Sequence, residues 1–216
     1  MMRGIFITFE GPEGSGKSTH VRRLAAKLRA MGRKVVTVRE PGGTPVGEAI
    51  RDVLQHDRRG EKMSPETEAL LFMASRAHLV REIIRPALER GACVISDRFG
   101  DSTIAYQGFG RGLDVKALIN LNAFVVDGAV PDLTLVLDLD VRHGFARLRA
   151  RNKKKKESPD RIEREKLPFH RRVRRGYLAL ARKNPKRFKV IDANREISAV
   201  DDSIWKAVCR KLGRMR

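Results

Sequence analysis

Apolar residues fall along this chain in two rhythms. Short runs, Ile5 to Phe9, Lys34 to Arg39, Cys93 to Ser96, Leu133 to Leu137 and Phe188 to Ile191, read as strands. The Cys93 run is too apolar to alternate, which is what a strand buried on both faces of a parallel sheet requires. Between the strands the spacing lengthens. Val21, Leu24, Ala25 and Leu28 recur as on one face of a helix that begins near Lys17, and Gly32 is placed to cap its end. Further helices are predicted from Pro45 to His56, from Pro65 to about Arg85, over Val115 to about Val126, from Arg142 to Arg151, from Asp160 to about Lys183 and from Ile197 to Leu212. Ser64 and Asp114 stand as caps, and Pro86 should interrupt or kink the third helix. Five strands alternating with helices predict an α/β chain, a parallel sheet flanked by helices on both faces, in one domain spanning residues 1–216.

The breaks in the pattern predict mobility. A polar connection runs from Asp57 to Met63, and Gly108, Gly110 and Gly112 should keep the segment after Asp101 pliable. Four lysines, Lys153 to Lys156, followed by Ser158-Pro159, should break the helix that carries Arg151, so a mobile lid is expected at about 148–160.

Charge changes the picture only in the last third. Residues 141–216 hold 26 Lys and Arg against 8 Asp and Glu, whereas residues 1–140 hold 20 against 18, so the formal +20 is concentrated at one end. Such a basic third attracts polyanions in a salt-dependent way, but a solvated surface and a lid that meets an anionic nucleotide account for it, and nucleic acid is not expected as a partner. No stretch approaches a membrane-spanning length, and Cys93 and Cys209 read as reduced structural residues of a cytoplasmic protein.

Candidate chemistry sits at the strand ends. After the first strand comes Gly11-Pro12-Glu13-Gly14-Ser15-Gly16-Lys17-Ser18. Glycines let backbone N–H groups approach a phosphate chain, a lysine adds a point charge, a serine hydroxyl can ligate Mg²⁺, and the next helix offers its positive end. This is a P-loop, and it predicts the P-loop NTPase fold. The second strand delivers Arg39-Glu40-Pro41-Gly42-Gly43-Thr44, where Arg39 can fork onto a phosphate and Glu40 could orient it. Phe72 and Arg76, four apart, share a helix face and can stack on and hydrogen-bond to a base. Asp97-Arg98 ends the third strand, an acid for the metal and an arginine for a second phosphate, with Ser102, Tyr106 and Gln107 beyond it as groups for a base or sugar.

With these residues laid out, the chain resembles the thymidylate kinases over nearly its full length. The likeness rests on the P-loop through Thr19, on Arg39 to Thr44, on Asp97-Arg98-Phe99-Gly100-Asp101-Ser102, on Ala105-Tyr106-Gln107-Gly108, on Gly110-Arg111-Gly112 and on Asp160-Arg161-Ile162-Glu163. The resemblance implies transfer of the γ-phosphoryl of ATP to dTMP with Mg²⁺, in a homodimer. It implies that Lys17 serves the ATP side, that Arg39 and Arg98 hold the acceptor phosphate, and that Glu13 lies near the sugar 3′-hydroxyl or orients an arginine. Phe72 would stack on thymine, Arg76 would bond its O4, Ser102, Tyr106 and Gln107 would complete the pocket, and Ser18 with Asp97 would hold the metal. With Pro12 and Glu13 in the variable P-loop positions, the transition-state arginine is expected from the lid, as Arg147, Arg149 or Arg151. A kinase of another nucleoside or nucleotide acceptor and a nucleic-acid-binding P-loop ATPase are the alternative readings.

Overall fold

A computed structural model describes residues 4–56, 62–156 and 158–213; most of the expected Asp57–Met63 connection lies outside them. Five strands, β1 (Phe6–Glu10), β2 (Val35–Arg39), β3 (Cys93–Asp97), β4 (Leu133–Asp138) and β5 (Phe188–Asp192), pair in the order β2-β3-β1-β4-β5, every neighbour parallel. All carboxyl ends therefore meet at one edge, where open α/β sheets bind their ligands.

The pleat of the central strand divides the core. Ile7 and Phe9 face α1 (Lys17–Ala30) and the closing helix α9 (Ile197–Gly213), packing with Val21, Leu24, Leu28, Val200, Ile204 and Val208. Phe6, Thr8 and Glu10 face the other way. There α3 (Pro65–Leu79), the short α4 (Arg85–Glu89) and the turn between them cover β3 through Leu79, Leu88 and Ile84, and α8 (Leu167–Lys183) covers β4 through Phe169, Val173 and Tyr177. The remaining helices are α2 (Pro45–Gln55), α5 (Gly100–Thr103), α6 (Val115–Val126) and α7 (Val141–Lys155). Thr44, Ser64 and Asp114 cap α2, α3 and α6 by accepting from the N–H three residues on, and Gly32 takes a φ of 76° just past α1.

Five local expectations are corrected by the structure. The helix expected to kink at Pro86 instead widens ahead of it into a π-helical turn, Val80–Ile84, which absorbs the hydrogen bond that proline cannot make. The segment after α5 is not pliable. Ile104–Gly110 is a π-helix packed on α8 so closely that a Cβ on Gly110 would lie 2.7 Å from Phe169, and one on Gly176 would lie 2.8 Å from Phe109. The lysine run does not break α7, since Lys153 to Lys155 complete its last turn, where cations meet the negative end of the helix dipole, and the chain turns only at Lys156, φ 56°. Asp160–Glu163 does not begin α8; it is a turn closed by the Glu163 N–H on Asp160 Oδ1, and α8 starts at Leu167 with Pro168 in its first turn. Both cysteines are free, but only Cys93 is buried, its thiol pushed up to about 12 by burial; Cys209 is exposed rather than structural.

Candidate active site

The carboxyl edge opens into a cleft of about 1630 Å³. Its floor is the P-loop between β1 and α1, in which Gly11, Gly14 and Gly16 all have positive φ, a path no other residue follows without strain. Gly14 also meets α7. A Cβ on it would fall 2.2 Å from the Gly144 carbonyl oxygen, and one on Gly144 would fall 2.3 Å from that of Glu13, so two glycines let α7 touch the cradle backbone to backbone. Lys17 Nζ donates to the carbonyls of Gly11 (3.1 Å) and Pro12 (2.8 Å) and to Ser15 Oγ (3.3 Å). Burial, then Arg98, lowers its ammonium to about 8 against the pull of Glu13. Glu13, Gly14, Gly16, Lys17, Ser18 and Thr19 face the cleft, whereas Gly11, Pro12 and Ser15 lie behind it and anchor the lysine. At the mouth of the cradle Ser18 Oγ donates to Asp97 Oδ2 at 2.5 Å.

Beside Lys17 stands Arg98, the first residue past β3, at φ 70°, its Nη1 reaching the Gly11 carbonyl (3.3 Å) to which Lys17 also donates. Its Nη2 pairs with Glu13 Oε1 (2.5 Å) and donates to Tyr106 OH (3.0 Å), while Nη1 reaches Tyr177 OH (3.2 Å) and Ser102 Oγ (3.4 Å). Burial pushes the Glu13 carboxyl up, but Arg98 and Lys17 outweigh it and hold the group at about 2, permanently ionised. Arg39 also lines the cleft, donating from Nη1 to the Pro41 carbonyl (3.1 Å) and from Nη2 to Glu48 (2.9 Å).

Glu40 does not orient Arg39. It turns inward and takes three contacts from Arg76, Nε to both carboxylate oxygens (3.1 and 2.9 Å) and Nη2 to Oε2 (2.6 Å). The strand pleat explains this, because consecutive residues at the end of β2 point to opposite sides. Arg76 is fully buried, and Asn122 Oδ1 (3.1 Å) and Thr103 Oγ1 (3.0 Å) take two more of its protons. Of its five N–H groups, one on Nη1 is left, and both Arg76 and Phe72 border the cleft. Ser102, Tyr106 and Gln107 line the same wall, with Gln107 Nε2 spent on Glu68 Oε1 at 2.8 Å.

Helix α7 contributes Arg147 and Arg151, one turn apart, with Lys155 a turn further on. Arg149 is exposed and does not border the cleft. Arg147 docks on the Ala193 carbonyl (3.0 Å) just past β5, and Arg151 on Glu163 Oε1 (2.8 Å). The following turn reaches across to α2, where the Arg161 N–H meets Gln55 O (3.2 Å) and its Nε meets Leu54 O (3.0 Å).

Sequence reasoning missed three parts of this site. Arg51 of α2 lines the cleft and shares the Pro41 carbonyl with Arg39 at 3.0 Å; its signal was a polar stripe, Glu48, Arg51 and Gln55, along one helix face. Glu68, 1 % exposed, accepts from Gln107, Arg111 and Arg161 and ties α3 to the π-helix and the lid turn. Glu10 and Tyr177 form a buried pair behind Arg98 (3.0 Å), with no local pattern to announce it.

A glycine cradle with its lysine, a hydroxyl and carboxylate at its mouth, and arginines across a shared cleft define a P-loop phosphotransferase, built to hold two anions face to face. The family described as thymidylate kinase matches residues 9–204. Thymidylate kinases from Deinococcus radiodurans (49 % identical over 98 % of this chain and 99 % of that one) and Pelotomaculum thermopropionicum (51 % over 95 % and 93 %) resemble the chain along almost its full length. The crystal structure of thymidylate kinase from Ehrlichia chaffeensis superposes with a TM-score of 0.75 at 36 % identity, covering 95 % of this chain and 98 % of that one. The chain belongs to the thymidylate kinase family.

Proposed function

We propose that the protein transfers the γ-phosphoryl group of ATP to the 5′-phosphate of dTMP, forming dTDP and ADP. The observation that carries this reading is the gathering of cations in one cleft, Lys17 of the cradle, Arg98 beside it on the Gly11 carbonyl, and Arg39 and Arg51 from the end of β2 and from α2. An acceptor oxygen of dTMP attacks the γ-phosphorus, the bond to the β,γ-bridging oxygen breaks, and ADP leaves with the electron pair. That acceptor is already anionic, so no general base is needed, and the task is alignment and charge neutralisation. Lys17 follows the charge moving onto the leaving phosphate. Arg98 and Arg39 hold the acceptor phosphate, with Arg51 beside them. Phe72 stacks on thymine while the free N–H on Arg76 Nη1 meets O4, and Ser102, Tyr106 and Gln107 close the nucleoside pocket.

Ser18 and Asp97 are hard oxygen donors in contact at the cradle's mouth and fit Mg²⁺, which would supply charge neutralisation between the donor phosphates. Residues 148–160 serve as the lid of the single domain, with Arg151 in it and Arg147 one turn before it as the working cations. The protein works as a cytoplasmic homodimer through α3 and α6, which pack on each other and expose Leu70, Ile119 and the 84 % exposed Phe124. Among the described residues no helix is long and apolar enough to cross a membrane.

The test is a chromatographic assay of ATP with each nucleoside monophosphate. Equimolar dTDP and ADP from dTMP is the expected result, and Arg98→Ala should abolish it. ADP release without a phosphorylated nucleotide would overturn the assignment.

A further inference from the structure

Behind the acceptor arginine lies a carboxylate that does not itself line the cleft. Glu10 ends β1 on the face opposite Ile7 and Phe9 and is 0 % exposed. Its Oε1 accepts the Phe99 N–H (2.8 Å), and its Oε2 lies 2.6 Å from Ser102 Oγ and 3.0 Å from Tyr177 OH, hydroxyls that are also 2.7 Å from each other. All three groups bracket Arg98. The Phe99 N–H belongs to the peptide that follows Arg98, whose φ of 70° is uncommon outside glycine and needs its flanking peptides pinned. Phe9 O takes the Arg98 N–H (2.9 Å), Ser96 Oγ donates to its carbonyl (2.5 Å), and Glu10 secures the next N–H. Ser102 and Tyr177 are also the hydroxyls that Arg98 Nη1 reaches. A hydroxyl has a single proton. With Glu10 ionised, one of the two hydroxyls points at the carboxylate and the other at its fellow hydroxyl 2.7 Å away, and lone pairs of both are left facing the guanidinium.

We propose that Glu10 is a positioning residue for Arg98, its carboxylate fixing the strained peptide and turning two hydroxyls so that the guanidinium is held where the acceptor phosphate docks. This rests on the reading of Arg98 as an acceptor-phosphate ligand and makes acceptor binding, rather than donor binding, depend on a residue that meets neither substrate. The groups facing Glu10 are Asp101 of α5, Arg98 and Ser102 beyond β3, Tyr177 of α8 and Lys17 of the cradle. Burial, then Asp101, raises the carboxyl to about 7 against Ser102, Arg98 and Tyr177, so its charge changes near neutral pH. Protonated, it must donate to one of the hydroxyls, and the orientation that serves Arg98 is lost.

Steady-state kinetics on Glu10→Gln, with dTMP and ATP varied separately, test this. At pH 8 the KM for dTMP should rise about tenfold, the effect of losing hydrogen bonds to a charged acceptor, while the KM for ATP stays within about twofold. The ratio of variant to wild-type KM for dTMP should fall toward one at pH 6, where the wild-type carboxyl is itself protonated; taking the ratio removes the titration of dTMP. Tyr177→Phe, which removes one relay hydroxyl and keeps the ring, should raise the same KM and spare that of ATP, and it serves if Glu10→Gln does not fold. A wild-type protein inactive on dTMP sinks the functional reading. An active wild type whose variants match it, or whose variants raise both KM values equally at every pH, sinks this inference alone.

Discussion

Arg76 and Glu40 form an ion pair with side chains 1 % and 2 % exposed, so removing one partner strands the other in the core. In Arg76→Met the volume is roughly kept, but Glu40 loses all three contacts from the guanidinium, and Asn122 and Thr103 each lose a donor. Breaking a buried pair in this way costs about 3–5 kcal/mol, because the remaining charge must be neutralised or left uncompensated. In a chain of this size that is a fall in Tm of about 6–20 °C. Burial already raises the Glu40 carboxyl against the opposition of Arg76, and without Arg76 it rises further. A group whose folded pKa is raised loses stability as pH climbs toward that value, so the variant's deficit should be larger at pH 8 than at pH 5. Urea denaturation at both pH values, for Arg76→Met, Glu40→Gln and the double variant, reads the deficit and the coupling. The double variant should recover at least half of the loss, since it removes the stranded charge. A single variant within about 1 kcal/mol of wild type, or a coupling under about 0.5 kcal/mol, would refute the assignment of this pair as an obligate unit.

Three further outcomes follow from the same geometry. Gly144→Ala forces a Cβ against the Glu13 carbonyl, which cannot yield as a side chain would, so kcat/KM for ATP should drop about 100-fold as α7 is pushed off the cradle; activity within threefold of wild type would show that the close approach is dispensable. Arg151→Ala and Arg147→Ala should each lower kcat about 100-fold, as loss of a transition-state cation does, while Arg149→Ala changes it by less than about twofold; equal losses at all three positions would contradict the orientation of α7. Glu13, held at about 2 by Arg98 and Lys17, adds about 3 kcal/mol that is present above pH 4.5 and lost as pH falls toward 2. The stability gap between wild type and Glu13→Gln should therefore narrow between pH 6 and pH 3, and a constant gap would count against the pair.

Element types were legible wherever a local rule acts alone. The caps at Ser64 and Asp114, the glycine past α1 and the apolar runs of the interior strands require only neighbours in sequence, and they stand where they were expected. The helix limits of the lid were misjudged for an equally local reason. Four lysines repel in isolation, yet three of them complete the last turn of α7, whereas Pro168 was overlooked as a start signal for α8. The glycines around Gly110 read as hinges because their neighbour, α8, is more than fifty residues away in sequence.

What the sequence determined by itself is the cradle and the class of chemistry, because a P-loop is made of consecutive residues whose backbone does the binding. It also determined that arginines would stand at strand ends. Which partner each would take was decided only by the fold. Glu40 lies next to Arg39 in the chain and pairs with Arg76, Arg51 joins the cleft from a helix face, and Glu10 supports Arg98 from the neighbouring strand. A buried charge takes whatever opposite charge the packed core leaves within reach, and that distance is set by crossing strands and helices rather than by separation along the chain.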